Sequence, residues 1–166
     1  MRQTQSILLI NPDWTGILKQ KQFQFKRIWP PLDLAIAGAM LEQAGHLVQI
    51  LDNNVMRLTP EKIGELSKNF DRVFVTSTPY DRWQCPSLNI AYFFDTLLHI
   101  RPDRLYIMGA HITERPKTIL SASKARAVIL GEPEQTVLNI VRKVALCAVR
   151  RLWMRVRHCS SRPVFW

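Results

Sequence analysis

Cysteine is scarce in this chain. Cys85, Cys147 and Cys159 are widely spaced and form no CxxC pair, which argues against both a disulfide framework and a zinc site. Ordinary reduced thiols are the simpler reading. No apolar run approaches the length of a membrane span. The opening Met1-Arg2-Gln3-Thr4-Gln5-Ser6 lacks a signal-peptide pattern, so a cytoplasmic protein is expected. Internal repeats and low-complexity linkers are absent before the tail. The phosphate-cradling motifs are missing too: there is no GxGxxG after the first strand and no GxxxxGK followed by Ser or Thr. A standard dinucleotide or P-loop site therefore has no support. Finally, the C-terminal tail holds no acidic residue, but seven basic ones: Arg142, Lys143, Arg150, Arg151, Arg155, Arg157 and Arg162. Taking those seven from the net charge of +10 leaves +3 for residues 1–141. The basicity belongs to the tail and is no signature of a nucleic-acid-binding fold.

What is present is a regular alternation of strands and helices. Ile7-Leu8-Leu9-Ile10 is an unbroken apolar run, as expected of a strand buried on both faces of a parallel sheet. Asn11-Pro12 stops it, and a long loop runs to Trp29, long enough to be a candidate for function. Pro30-Pro31 opens a helix with Leu32, Ile36 and Met40 on one face and Ala37, Leu41 and Ala44 beside them. Asp33 suits its positive end and Gly45 its stop. Leu47 to Leu51 is the return strand, ended by Asp52-Asn53-Asn54. Thr59-Pro60-Glu61 starts the next helix, with Ile63, Leu66 and Phe70 on its apolar face. Val73 to Ser77 is the third strand. Ser87 caps a helix striped with Ile90, Ala91, Phe94, Leu97 and Leu98. Leu105 to Met108 is the fourth strand, and a short helix follows Pro116. Ala127 to Leu130 is the fifth strand, and the last helix carries Val137, Leu138, Val141, Val144 and Ala145.

Five short apolar strands alternating with helices predict an open, doubly wound α/β sheet, Rossmann-like in its general plan. At 166 residues there is room for one ordinary core. We expect an α/β domain over residues 1–142 and a basic tail, helical or disordered, over residues 143–166. Ligands of such sheets bind outside the carboxyl ends of the strands at a topological switch point, which directs attention to the loops that follow each strand. A phosphorylatable receiver domain shares this architecture, but its acceptor Asp should end the third strand, where this chain has Thr76-Ser77-Thr78. A flavin site is not excluded by residues alone, since Trp83 and Tyr80 could stack on an isoalloxazine.

The loops and helix ends resemble a known family. Asn11-Pro12 after the first strand, Pro30-Pro31-Leu32 opening the helix and Leu41-Glu42-Gln43-Ala44-Gly45-His46 closing it look like the cobalamin-binding domain at the N-terminus of cobalamin-dependent radical S-adenosylmethionine enzymes. Gly109-Ala110-His111-Ile112-Thr113 resembles that family's GPHxT-type turn, and Gly131-Glu132-Pro133-Glu134-Gln135-Thr136 its GE-(G/P)-E-x-T turn. Thr78 to Pro86 resembles the variant with an aromatic and a Cys-Pro in the third loop. The resemblance covers about residues 6–142. It implies a flavodoxin-like strand order, 2-1-3-4-5, with the corrin over the strand ends and its nucleotide tail in the sheet's edge, so that cobalamin is held base-off. The residues it places at the cofactor are Asn11, Pro12, Trp14, Pro31, Leu32, Thr78, Tyr80, Arg82, Trp83, Gly109, Ala110, His111, Gly131, Glu132 and Glu134. It assigns no catalytic residue and no metal ligand. Relatives with a histidine on cobalt carry DxHxxG after the first strand, a motif missing here, and no histidine precedes His46.

The family continues into a barrel with a CxxxCxxC triad for an iron–sulfur cluster. Nothing in this chain matches, so no cluster is expected. What remains resembles the carrier half of a radical methyltransferase, as a truncated, frameshifted or split product would, with the radical domain as a separate domain or protein. The alternative is a flavodoxin-like nucleotide- or flavin-binding or protein-interaction module without corrin.

Each residue also has a plainer account. Gly109 and Gly131 suit turns that need positive φ or close backbone approach, whatever binds there. His46 fits the negative end of its helix, and Glu132 and Glu134 fit a first helical turn. His111 is expected near the cofactor and not on cobalt. For Tyr80 and Trp83, packing under the loop and contact with a ring are both adequate. In the tail, Ala145, Val149, Leu152, Trp153 and Val156 fall on one helical face, with Lys143, Arg150, Arg151, Arg155 and Arg157 largely opposite. A basic amphipathic helix suits an anionic membrane or nucleic acid. An out-of-frame extension with no selected role is the reading slightly favoured, because residues 144–149 are apolar all round.

Overall fold

In β1 (Ser6–Asn11) the side chains of Ile7, Leu8, Leu9 and Ile10 are all fully buried, and a parallel strand lies on each side of it. The computed structural model describes residues 4–14, 30–78, 91–109, 112, 116–143 and 152–155. After β1 come α1 (Leu32–Gln43), β2 (Leu47–Asp52), the one-turn α2 (Asn53–Met56), α3 (Pro60–Ser67) and β3 (Arg72–Thr76). Then follow α4 (Ala91–Leu98), β4 (Leu105–Met108), α5 (Pro116–Ser123), β5 (Ala127–Leu130), α6 (Pro133–Lys143) and β6 (Leu152–Arg155). All strand pairs are parallel and the sheet order is β2-β1-β3-β4-β5-β6. The expected flavodoxin-like order 2-1-3-4-5 is present, with one more strand beyond β5.

Alternation along each strand divides the core in two. Ile7 and Leu9 join Phe74, Tyr106 and Ile129 beneath α1 and α6. Leu8 and Ile10 join Val73, Val75, Leu105 and Ile107 beneath α3, α4 and α5. Burying a Leu or Ile side chain this fully contributes roughly 1.5–3 kcal/mol, so β1 anchors both layers at once. Because α1 covers one face and α3 the other, the chain reverses its winding between β1 and β3. That is the switch point. Among the described residues no helix is long and apolar enough to cross a membrane.

Three local expectations differ from the structure. On α1 the buried stripe is Leu34, Ala37, Gly38 and Leu41, while Leu32 is 67% and Ile36 43% exposed. The helix is apolar nearly all round, and Leu34 and Leu41, with the small Ala37 and Gly38 between them, lie against the sheet. On α4 Phe93, Thr96 and Leu97 are buried, whereas Leu98 is 73% exposed. In the tail, Leu152–Arg155 does not continue a helix but pairs with β5 in register, Ala127 opposite Leu152 through Leu130 opposite Arg155. This strand covers the backbone edge that β5 would otherwise present.

Candidate functional site

The carboxyl ends of β1 and β2 are tied by a closed circuit of hydrogen bonds. Asn11 and Asp52 sit opposite each other in the ladder. Asn11 Nδ2 donates to Asp52 Oδ1 at 3.0 Å, and the same oxygen accepts from Asn54 N at 3.1 Å and Asn54 Nδ2 at 3.0 Å. Asn54 Oδ1 accepts from the Trp14 backbone at 2.9 Å, and Trp14 Nε1 donates back to Asn11 Oδ1 at 3.0 Å. Trp14 is buried and stacks on Phe93 with ring centroids 5.9 Å apart. Asn53 is fully buried and bonds both the backbone of Leu58 and the Tyr92 hydroxyl. On the outside Arg57 clamps Asp13 at 3.0 Å. Asp52→Ala is expected to cost about 2–3 kcal/mol, because Asn11 and Asn54 donors lose their common acceptor. Asp52→Asn keeps an oxygen there and should recover most of the loss in a urea titration. Equal losses in the two variants would mean that the circuit does not hold this edge.

Across the switch point the ends of β3 and β4 are equally tight. Thr76 and Ser77 are almost fully buried. Thr76 Oγ1 donates to Asp33 Oδ2 at 2.8 Å and accepts from Thr78 N at 3.2 Å, while Asp33 Oδ1 accepts from Leu34 N at 2.9 Å. The first turn of α1 is thereby fastened to the end of β3. Ser77 N donates to Met108 O at 2.7 Å, and Ser77 Oγ accepts from Ile112 N at 3.4 Å. Gly109 has φ +107°, and a Cβ built on it would lie 2.6 Å from Thr78 Oγ1 and 2.8 Å from the backbone nitrogens of Ser77 and Thr78. Only glycine allows the two loops to pass this closely.

The expected site residues fall into three groups. Asn11, Pro12 and Trp14 are buried and form the floor of the edge. Pro31 and Thr78 are half-buried, Leu32 is exposed at the start of α1, and Gly109 is buried in its turn. Gly131, with φ +80°, and Glu132 are exposed beyond β5, and Glu134 is half-buried in the first turn of α6. Tyr80, Arg82, Trp83, Ala110 and His111 lie outside the described residues. The structure brings in residues that sequence reasoning left in lesser roles: Asp33, assigned only to the helix dipole, and Asp52, Asn54, Thr76 and Ser77. The one available signal was polar residues directly after apolar runs at the ends of β2 and β3. Around this floor, among the described residues, the exposed side chains include Leu32 at 67%, Val55 at 59% and Met56 at 59%, with the charged Arg57 beside them. His46 is at the opposite end of the sheet, where its Nδ1 accepts from Gln5 N at 3.3 Å.

Fold and edge together define a class: an open, doubly wound α/β domain whose carboxyl edge spans the β1/β3 switch point. No protein-family model matches the chain, and neither does any curated protein. Among solved structures it is similar to the radical S-adenosylmethionine methyltransferase TsrM from Kitasatospora setae. Against TsrM with tryptophan substrate and a SAM analogue bound, the TM-score is 0.66 at 16% identity, covering 86% of this chain and 26% of that one. Against TsrM with cobalamin and a 4Fe–4S cluster bound, it is 0.67 at 16% identity, covering 86% and 25%. A response regulator from Burkholderia multivorans gives 0.50 at 14% identity, covering 89% of this chain and 100% of that one. The chain thus spans about a quarter of the length of the TsrM chains. At these identities the likeness is one of fold.

Proposed function

We propose that this chain binds cobalamin base-off, with no histidine on cobalt, as the carrier module of a radical S-adenosylmethionine methyltransferase-type system. The observation that carries the reading is the character of the switch-point edge. Its floor is polar, but Asn11, Asp52, Asn54, Trp14, Asp33 and Thr76 are bonded to one another, and the rim above presents Leu32, Val55 and Met56 to solvent. Such an edge offers little to a phosphate and much to the faces of a broad, largely apolar ring. A corrin fits that description, and the place where a Gly131 Cβ would stand is open, with no atom of the described residues beyond its chain neighbours within 4 Å. The likeness in fold to TsrM, solved with cobalamin bound, supports corrin over other flat ligands. The third strand ends in Thr76 and not in an acidic acceptor, which weighs against receiver chemistry despite the shared fold.

Bound cobalamin would supply a methyl carrier. The work of this chain is then to hold and shield. The Asn11–Asp52–Asn54–Trp14 circuit and the Asp33–Thr76 bond would keep the floor rigid, Leu32, Val55 and Met56 would exclude water from the ring's margin, and Tyr80, Arg82 and Trp83 are the side chains we assign to its other face. Pro31, Thr78, Gly109, Ala110, His111, Gly131, Glu132 and Glu134 complete the surround. The radical generator belongs to another domain or protein. Mixing the folded chain with hydroxocobalamin and desalting should give a coloured protein with a base-off absorption spectrum. A folded but colourless protein overturns the reading.

A further inference from the structure

At the amino edge of the sheet, opposite the switch point, three neighbouring strands each open on an arginine. Arg72 is the first residue of β3, Arg104 directly precedes β4, and Arg126 directly precedes β5. With Gln5, Asp71 and Asp103 they line a cavity of about 260 Å³. Two carboxylates share it, and the Ser6 backbone bond, with the Arg104 and Arg72 charges behind it, holds the Asp71 carboxyl below the usual carboxylate range. Asp71 accepts from Ser6 N at 2.8 Å and Ser6 Oγ at 2.9 Å, and Asp103 takes Arg101 in a two-pronged pair at 3.1 and 3.0 Å. Among the described residues none of the three arginines forms a salt bridge.

Their partners are neutral. Arg72 is only 5% exposed, yet its Nε meets Gln5 Oε1 at 2.8 Å, its Nη1 meets the Tyr106 hydroxyl, and its guanidinium stands 5.6 Å from the Tyr106 ring centre. Arg104 Nη1 caps the carbonyls of Lys68 and Phe70, and Arg126 Nη1 donates to the Asp103 carbonyl. The Nη2 of each has no acceptor among the described residues. A buried cation whose hydrogen-bond partners are all neutral is costly. Burial holds the Arg72 guanidinium below the ordinary arginine range and the Arg126 charge pushes the same way, while Tyr106 and the Asp71 carboxylate push it back up.

We propose that this cavity binds a phosphate-type oxyanion, either free or as the terminal group of a small phosphomonoester. A carboxylate fills one planar guanidinium fork, whereas a tetrahedral dianion can take donors from three directions. The site stands roughly 15 Å, the length of a strand of this size, from the switch-point edge, and does not rest on the corrin reading. The test titrates the full chain with inorganic phosphate and with glycerol 3-phosphate at constant ionic strength, followed by phosphorus NMR line width, with chloride as the reference. Saturable binding is expected for at least one. Arg126→Gln or Arg104→Gln should weaken it about tenfold or more, the loss of one charge-assisted bond, whereas Lys62→Gln on exposed α3 should not. Tighter binding of the ester identifies a phosphomonoester ligand, and tighter binding of phosphate a free anion. No saturation beyond chloride, or binding unchanged in folded Arg126→Gln and Arg104→Gln, overturns the proposal.

Discussion

Gly109→Ala is expected to lower the melting temperature by roughly 6–12 °C, the equivalent of about 3 kcal/mol in a domain of this size. Two penalties combine. The backbone at Gly109 has φ +107°, a region that L side chains rarely adopt. The added methyl would also stand 2.8 Å from the backbone nitrogens of Ser77 and Thr78, which are held by the bond from Ser77 N to Met108 O and cannot swing aside as a flexible side chain can. Gly131→Ala is the control. Its φ of +80° carries the conformational penalty, but among the described residues beyond its chain neighbours nothing lies within 4 Å of the new methyl, so a loss of only about 1 kcal/mol is expected. Thermal unfolding followed by circular dichroism compares the two. Equal losses would mean that the contact between the β3 and β4 loops is looser than described.

How far the sequence could be read follows from what each inference needed. The five strands were legible because apolar runs of four or five residues between turn residues have few other uses, and Ile7 to Ile10 announces burial on both faces. The faces of α1 were not. Leu32, Ile36 and Met40 form one acceptable stripe and Leu34, Ala37 and Leu41 another, and periodicity cannot choose between them when the helix is apolar all round. The choice is made by Ala37 and Gly38, whose small size lets the helix approach Leu9 and Ile50. In α4, adjacent Leu97 and Leu98 posed the same ambiguity. The spacing of Leu152-Trp153-Met154-Arg155 suits a helix, and only the edge of its pairing partner β5, distant in sequence, decides for a strand. The circuit at the switch point was illegible for a related reason. Asn11 and Asp52 are 41 residues apart, and only the register between β1 and β2 brings them together, so each looked like an isolated polar residue at the end of its own strand.

The lower face of the proposed corrin site gives the remaining large effect. His46 lies at the amino end of β2, bonded to Gln5 N, and His99 lies just past the end of α4, within 4 Å of Glu61 and Asp95 carboxylates. Neither belongs to a loop that leaves the carboxyl edge. The loop that does leave it beside the switch point starts at Thr78, whose backbone is fixed by Thr76 Oγ1, and its next large side chains in sequence are Tyr80, Arg82 and Trp83. In the proposed site these side chains would cover one face of the bound cofactor, which would supply the methyl carrier. Tyr80→Ala, Arg82→Ala and Trp83→Ala are therefore expected to divide into variants that shift the base-off spectrum and variants that lose retention. The affected ones should lose about tenfold in affinity, as removal of one stacked or packed side chain implies. His46→Ala should leave spectrum and retention as they are, although its lost bond at the amino edge can lower stability slightly. Equilibrium dialysis against hydroxocobalamin, read together with the absorption spectrum, separates the two effects. If all three loop variants bind with unchanged spectra while His111→Ala does not, the β4 loop and not the β3 loop supplies the lower face.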